Sequence, residues 1–331
     1  MRYAVIGTGA IGGYYGARLA QSGQEVHFLF RSDYEYVKAH GLQVDSCDGS
    51  FHLDHVNAYN NTADMPPCDV ILVCLKSVNN NKLRDLLPPL LNTYRPTSTT
   101  DCSSSTTHHP SPIVILIQNG IGVEADVQQM FPDVQLVAGL AFICSAKTEP
   151  GRVNHQCYGQ INLAPYPNPF NPSGLSNLPS LGVGQGVGIL SDFNAAGIKA
   201  GLVEYHEARW KKAVWNMPFN GMTVALNTQT DLLLKNPATR QLIKDQMMEV
   251  IGAARHLGVQ NIDESFADKM IQMTDDMVPY SPSMKLDYDY HRRMEIYYLY
   301  TRPIQIAREA GFAMPKLEML EAMLRFLSGL N

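Results

Sequence analysis

No stretch of this sequence approaches the roughly 18 consecutive uncharged apolar residues that a membrane-spanning helix needs, so no such helix is expected. Runs of lysine or arginine are also missing. The 26 basic residues are outnumbered by 31 acidic ones and the net charge is −5, which argues against a general nucleic-acid binder. There is no C-x-x-C pair among Cys47, Cys68, Cys74, Cys102, Cys144 and Cys157. Met1-Arg2-Tyr3 runs directly into a strand-like segment, so no signal peptide is expected. The cysteines then read as reduced thiols of a cytoplasmic protein, each a small buried apolar residue. Hydrophobic residues, at 45%, suffice to offset chain entropy, and 331 residues exceed one ordinary core, so two domains are expected.

Short apolar runs alternate with amphipathic ones in the first part of the chain. Strands are expected at Arg2–Ile6, Glu25–Phe30, Val70–Leu75, Ile113–Ile117, Val134–Leu140 and Gln160–Leu163. Helices are expected at Ala10–Gln21, Asp33–Ala39, Asn81–Leu91 and near Val123–Met130. VILVCL and IVILI are continuous apolar runs, as in strands buried on both faces. Such alternation predicts a parallel sheet with crossover helices. Thr93–Pro112 and Pro165–Gly188 are rich in Ser, Thr, Pro, Gly and Asn and read as surface insertions. His108-His109 lies in the first, without a partner pattern for a metal site, and no metal is expected elsewhere. From about Glu204 helical periodicity takes over, with helices expected at Tyr205–Leu226, Pro237–Leu257, Glu264–Thr274, Tyr288–Ala310 and Lys316–Leu327. The fold class is α/β, with a dinucleotide-binding domain over residues 1–204 and an all-helical domain over 205–331.

The strongest local signal is Gly7-Thr8-Gly9-Ala10-Ile11-Gly12, which follows a strand and opens a helix. Gly7 permits a tight turn, Gly9 lets backbone approach a pyrophosphate, and Gly12 allows close helix–strand packing. The helix N-terminus then offers N–H groups to the phosphates. The second strand ends in Phe30-Arg31-Ser32, with Arg31 where an NAD site usually carries an acid. A guanidinium suits a 2′-phosphate, so NADP(H) is favoured, although Asp33 nearby keeps NAD open. Lys76 and Asn119 also stand at strand ends, where ligands of open parallel sheets lie.

In the helix at 205–226, Lys212, Asn216 and Asn220 recur at i, i+4 and i+8 and form one row among apolar neighbours. Hydride transfer to a ketone leaves negative charge on its oxygen, which an ammonium can bind and protonate. The asparagines can hold a carboxylate or hydroxyl. Glu295, in an apolar run that reads as buried helix, needs a partner such as Lys212 or a cofactor hydroxyl. Ser283 can add a hydroxyl to the same site.

These segments together resemble the ketopantoate reductase (2-dehydropantoate 2-reductase) family. The resemblance rests on GTGAIG, FLFR, LVCLKS around Lys76, QNGIG around Asn119, EPGRV, RWKKAVWNMPFN, and SPSMKLD followed by RRMEI. It covers almost the whole chain, with the motifs in family order and at similar spacing. It implies a Rossmann domain followed by a helical domain like that of 6-phosphogluconate dehydrogenases. It also implies NADPH-dependent reduction of ketopantoate to pantoate, a step toward pantothenate and coenzyme A. By resemblance Lys212 matches the general acid, Asn216 and Asn220 the substrate asparagines, and Ser283 the serine that binds the carboxylate. Asn119 matches the asparagine near the nicotinamide, and Glu295 the glutamate completing the site. Ala146 is the best match within a cofactor-lining stretch, Ser145–Lys147.

Two departures bear on the substrate. Tyr297-Tyr298-Leu299-Tyr300-Thr301 is bulkier than the small polar stretch often found in the family, and Thr230 or Asn227 replaces a further substrate asparagine. The alternatives are therefore a related NADP-dependent reductase of another small 2-oxo acid, or a non-catalytic NADP-binding sensor. The expected partner is a small-molecule 2-oxo acid rather than nucleic acid or membrane, and the apolar faces of the last two helices are compatible with a homodimer.

Overall fold

The computed structural model describes residues 1–92, 111–167 and 185–329. They form two compact units, one of Met1–Gln118 with Glu124–Val203 and one of Asn119–Val123 with Glu204 onward. Each unit has its own hydrophobic core. Among the described residues no helix is long and apolar enough to cross a membrane.

The first unit is a ten-stranded sheet. In chain order the strands are β1 (Arg2–Ile6), β2 (Glu25–Leu29), β3 (Leu42–Ser46), β4 (Phe51–Leu53), β5 (Asn57–Tyr59), β6 (Val70–Val73), β7 (Ile113–Leu116), β8 (Gln135–Glu149), β9 (Arg152–Pro165) and β10 (Ala200–Leu202). Their spatial order is β4-β3-β9-β8-β7-β6-β1-β2-β5, with β10 beside β9. The central strands β6 and β7 are buried at every residue, because helices cover both faces of a parallel sheet. Between β2 and β6 lies β1, where the strand order reverses. That reversal is where α/β sheets bind ligands, beyond the strands' carboxyl ends. The helices of this unit are α1 (Ala10–Gln21), α2 (Tyr34–His40), α3 (Leu83–Leu86), α4 (Pro88–Asn92), α5 (Val123–Met130) and α6 (Gln185–Ala195).

Several expectations need correction. The sheet is mixed rather than parallel, since β8 and β9 form a long antiparallel hairpin and β3 pairs antiparallel with β4. The two strands of that hairpin extend well past the expected Val134–Leu140 and Gln160–Leu163. Their outer halves alternate buried and exposed residues and carry no continuous apolar signal. The expected helix Asn81–Leu91 is broken into a 3-10 segment, Ser77–Lys82, and the short α3 and α4, because Pro88-Pro89 disfavours helix before it. Residues 93–110 and 168–184, including Cys102 and His108-His109, lie outside the described residues. The described end of the second expected insertion belongs to α6. Of the described cysteines, Cys68 and Cys144 are buried as expected, Cys74 and Cys157 are half-buried, and Cys47 is exposed in the turn after β3.

The second unit is helical: α7 (Tyr205–Ala225), α8 (Thr230–Lys235), α9 (Pro237–His256), α10 (Ser265–Asp275), α11 (Ser283–Asp289), α12 (Arg302–Glu309) and α13 (Pro315–Ser328). The Glu204 carboxylate caps α7 by accepting the His206 and Glu207 N–H groups, and Asn236 caps α9 ahead of Pro237. The expected helix Tyr288–Ala310 is not continuous. After α11 the chain turns through His291 at φ 51°, runs irregularly past Glu295, and re-forms as a π-helical turn, Tyr297–Thr301, before α12. Pro303 has no N–H to return to the Leu299 carbonyl, so an α-helix cannot pass through this point unchanged. Glu295 therefore precedes the helical turn instead of lying within a helix.

Candidate active site

The glycine-rich loop has the stereochemistry its sequence requires. Gly7 has φ +97°, and a Cβ there would stand 2.8 Å from the Leu75 nitrogen. A Cβ on Gly12 would come within 2.4 Å of the Gly7 carbonyl oxygen, whereas one on Gly9 would meet nothing within 4 Å. The backbone at Gly9 is thus open to close approach. Helix α1 starts there with no side-chain cap and no acid in its first turn, leaving its N–H groups for an anion. Thr8 bonds the Leu29 carbonyl through its hydroxyl at 2.9 Å, fastening the loop to β2, while Ala10 and Ile11 form the first helical turn. Ser145 donates to the Ala10 carbonyl at 3.5 Å, bringing the strand that carries Ala146 beside the loop. This cradle fits a dinucleotide pyrophosphate.

The residues after β2 separate two cofactor readings. Arg31 is exposed and, among the described residues, makes no ion pair. Asp33 is 4% exposed and already engaged. Its carboxylate receives the Lys147 ammonium at 2.5 Å, the Gly151 N–H at 3.1 Å and the Ser32 hydroxyl at 2.9 Å. Burial alone would raise this carboxyl, but those donors hold it below the ordinary aspartate range. Asp33 is committed to its own unit, while Arg31 presents an exposed cation. Lys76 immediately precedes the 3-10 segment after β6, and Gln118 ties β7 to β6 by donating to the Leu75 carbonyl at 2.6 Å.

Asn119 begins a short segment that packs within the helical unit. Gly120 has φ +104°, and a Cβ there would lie 2.5 Å from the Tyr298 carbonyl oxygen. Ile121 donates its N–H to that same carbonyl at 2.9 Å. Gly120 therefore seats the segment against the π-helical turn, and Gly122 lies against the Arg302 side chain at the start of α12. Gly120→Ala should destabilise the chain by about 2–4 kcal/mol, combining a left-handed penalty with overpacking. Urea unfolding measures this, and an unchanged midpoint would mean that the segment repacks freely.

On α7 the expected polar row faces inward. Lys212 and Asn216 line a small, open recess with Arg209, Gly120, Tyr298 and Leu299, beside the apolar Ile121, Ala213, Met217 and Pro303. Lys212 is half-buried by its surface, yet its amine is surrounded by protein. Burial pushes its pKa down to about 7, the Arg209 cation pushes the same way, and Glu295, 7% exposed, pulls it back up. Asn220 is one turn further along and 3% exposed. Its amide donates to the Asn216 carbonyl at 3.0 Å, and its oxygen accepts the Met284 N–H at 3.1 Å. That second bond pins the start of α11, where Ser283 sits, against α7. The Tyr300 hydroxyl donates to the Met217 carbonyl at 2.6 Å and locks the π-helical turn onto the same helix.

Arg209 and Tyr298 escaped the sequence reading as site residues. Arg209 had a usable signal, since it precedes Lys212 by three positions and extends the row on the same helix face. Tyr298 had none, because which tyrosine of the run turns inward depends on the π-helical turn.

A glycine-rich nucleotide cradle in one unit and, in the other, a lysine whose pKa is brought to about 7 in a small recess belong to an NADP-dependent oxidoreductase. The sequence profile described as ketopantoate reductase PanE/ApbA matches residues 3–168, and its C-terminal counterpart matches residues 204–328. The chain belongs to the ketopantoate reductase family. It is 41% identical to a 2-dehydropantoate 2-reductase of Nostoc sp. across all of this chain and 96% of that protein. The solved 2-dehydropantoate 2-reductase of Geobacter metallireducens matches with 34% identity and TM-score 0.85, over 98% of this chain and 99% of that one. That of Methylococcus capsulatus matches with 30% identity and TM-score 0.83, over 100% and 97%.

Proposed function

We propose that this chain reduces 2-dehydropantoate to pantoate with NADPH, a step toward pantothenate and coenzyme A. The observation that carries the reading is Lys212, whose amine lines a recess of the family's helical unit beside Asn216 and has its pKa pushed down by burial to about 7. A general acid works best when its pKa lies near the operating pH.

In this reading residues 1–204 form the NADP-binding domain and 205–331 the substrate and catalytic domain. Gly7, Thr8, Gly9, Ala10, Ile11 and Gly12 cradle the pyrophosphate, and Arg31 holds the 2′-phosphate. Lys76, Ala146, Asn119 and Glu295 complete the cofactor's contacts. Bound NADPH supplies the hydride. Lys212 hydrogen-bonds the substrate's carbonyl oxygen, stabilises the charge that develops there, and delivers its Nζ proton to it. Asn119, Asn216 and Asn220 orient the substrate's polar groups, and Ser283 takes its carboxylate. Glu295 keeps the lysine protonated over a wider pH range.

The pH dependence follows with a definite sign. Reduction needs protonated Lys212, so kcat/KM should fall with unit slope as pH rises through about 7, while oxidation of pantoate should gain over the same interval. Glu295 raises the lysine's pKa, so Glu295→Gln should move the falling limb to lower pH. A limb left in place would remove Glu295 from the electrostatics of the site.

Following NADPH consumption with 2-dehydropantoate, beside NADH and a panel of 2-oxo acids, tests the function. NADPH-selective turnover of 2-dehydropantoate supports it. Preference for a bulkier or more apolar acid would favour the second reading, which Tyr298 in the recess lining motivates. NADPH binding without turnover of any acid would favour a sensor. We further propose a cytoplasmic enzyme acting as a homodimer: Met319, Met323 and Phe326 form an exposed apolar stripe on α13 at helical spacing.

A further inference from the structure

The turn after β3 gathers a donor set for which the proposed reduction has no use. Cys47 and Asp48 lie between β3 and β4, and the parallel pairing of β3 with β9 sets Ser46 opposite His155. Cys47 Sγ is 3.8 Å from His155 Nδ1 and 3.8 Å from Asp48 Oδ1, and Nδ1 is 4.0 Å from Asp48 Oδ2. Zinc bonds to sulfur at about 2.3 Å and to nitrogen or oxygen at about 2.0–2.2 Å, so tetrahedral ligand atoms stand roughly 3.3–3.6 Å apart. The two carboxylate distances run to different oxygens; taking one ligand atom from each residue, the three lie within 4.8 Å of one another, so closing on an ion needs the turn to move inward by about an ångström. Two of its corners are exposed turn residues able to move that far.

The imidazole is prepared for the role. His155 is 1% exposed, and its Nε2 lies 3.2 Å from the Tyr158 carbonyl, which can only accept. Nε2 therefore carries the hydrogen and Nδ1 presents its lone pair to the cluster, the arrangement found in metal-bound histidines. Tyr158 holds that carbonyl in place from φ +66°, an uncommon conformation for a non-glycine residue. The Ser46 hydroxyl, 2.9 Å from Nδ1, donates to it and must turn aside when an ion binds. The guanidinium of Arg18, 3.8 Å from Asp48 Oδ2, is the cation that an arriving ion displaces.

We infer that Cys47, Asp48 and His155 form a zinc site that clips the β3–β4 turn to β9, with three protein ligands and water in the fourth position. Thiolate, imidazole and carboxylate together select a borderline ion over magnesium or calcium, which take oxygen ligands.

The test uses the full-length chain, stripped with chelator and titrated with Zn²⁺ against a chromophoric competitor, then separately with Co²⁺. One zinc per chain is expected, with a thiolate-to-metal charge-transfer band in the cobalt form. Cys47→Ser should abolish that band and weaken zinc binding by about 100-fold or more, and Asp48→Asn by about 10-fold or more. Both substituted residues are exposed, so the variants are expected to stay folded, which circular dichroism checks. Turnover of NADPH by Cys47→Ser should match the parent, which separates this test from that of the reductase reading. Absence of saturable zinc binding would overturn the proposal. So would undiminished binding by Cys47→Ser, which would place the ion elsewhere, His108-His109 included.

Discussion

Lys212→Ala is expected to lower kcat for 2-dehydropantoate reduction by ~10²–10⁴-fold, the usual range for loss of a positioned proton donor. The KM for NADPH should stay near the parent value, because the nucleotide cradle lies in the other unit's β1–α1 loop. The variant should fold at least as well as the parent. The pKa of Lys212 is depressed in the folded state, so below about 7 the charged amine opposes folding, and that opposition fades as pH rises toward the ordinary lysine value. Removing the amine relieves the opposition. Lys212→Arg separates charge from proton delivery, since a guanidinium stays protonated and is a poor acid. It should retain substrate binding and recover little turnover. Turnover within a few-fold of the parent in Lys212→Ala would take this residue out of the reaction.

Arg31→Asp should reverse the cofactor preference. A charge-assisted hydrogen bond contributes about 1.5–3 kcal/mol, so NADPH affinity should fall by about 10- to 150-fold from the lost guanidinium alone. The new carboxylate repels a 2′-phosphate and can accept a ribose 2′-hydroxyl, so NADH should gain. Arg31 is exposed, and no change in thermal stability is expected. The measurement is kcat/KM for both cofactors at one ionic strength, because screening weakens such contacts. An unchanged NADPH-to-NADH ratio would show that the 2′-phosphate is held elsewhere. Asp33 cannot take over the ribose while Lys147, Gly151 and Ser32 occupy its oxygens, so Arg31→Asp together with Lys147→Ala is the natural second variant.

Much of the site was legible because its chemistry follows local rules. The glycine loop states its geometry within six residues: each glycine answers a steric demand, and the Cβ distances at Gly7 and Gly12 show those demands met. The Lys212–Asn216–Asn220 row could be read from helical spacing alone. What spacing could not say is what each residue touches. Asn220 spends its amide on α7 and on the first turn of α11, so it also positions Ser283, 63 residues away in sequence. Glu295 was expected inside a helix, and Pro303 with the π-helical turn put it before one. The strands β3, β4, β5 and β10 left little hydrophobic trace, being short and partly exposed; pairing with longer neighbours makes them strands.

The sequence by itself determined the nucleotide loop, the two-part organisation, the burial of the central strands and the polar face of α7. Each depends on residues within one or two turns or on a single periodicity. Tertiary structure decided the depressed pKa of Lys212, the engagement of Asp33, the entry of Tyr298 into the recess and the meeting of Cys47, Asp48 and His155. Those depend on desolvation and on neighbours more than a hundred residues apart in sequence. Electrostatic energies follow distance and burial, neither of which local sequence contains.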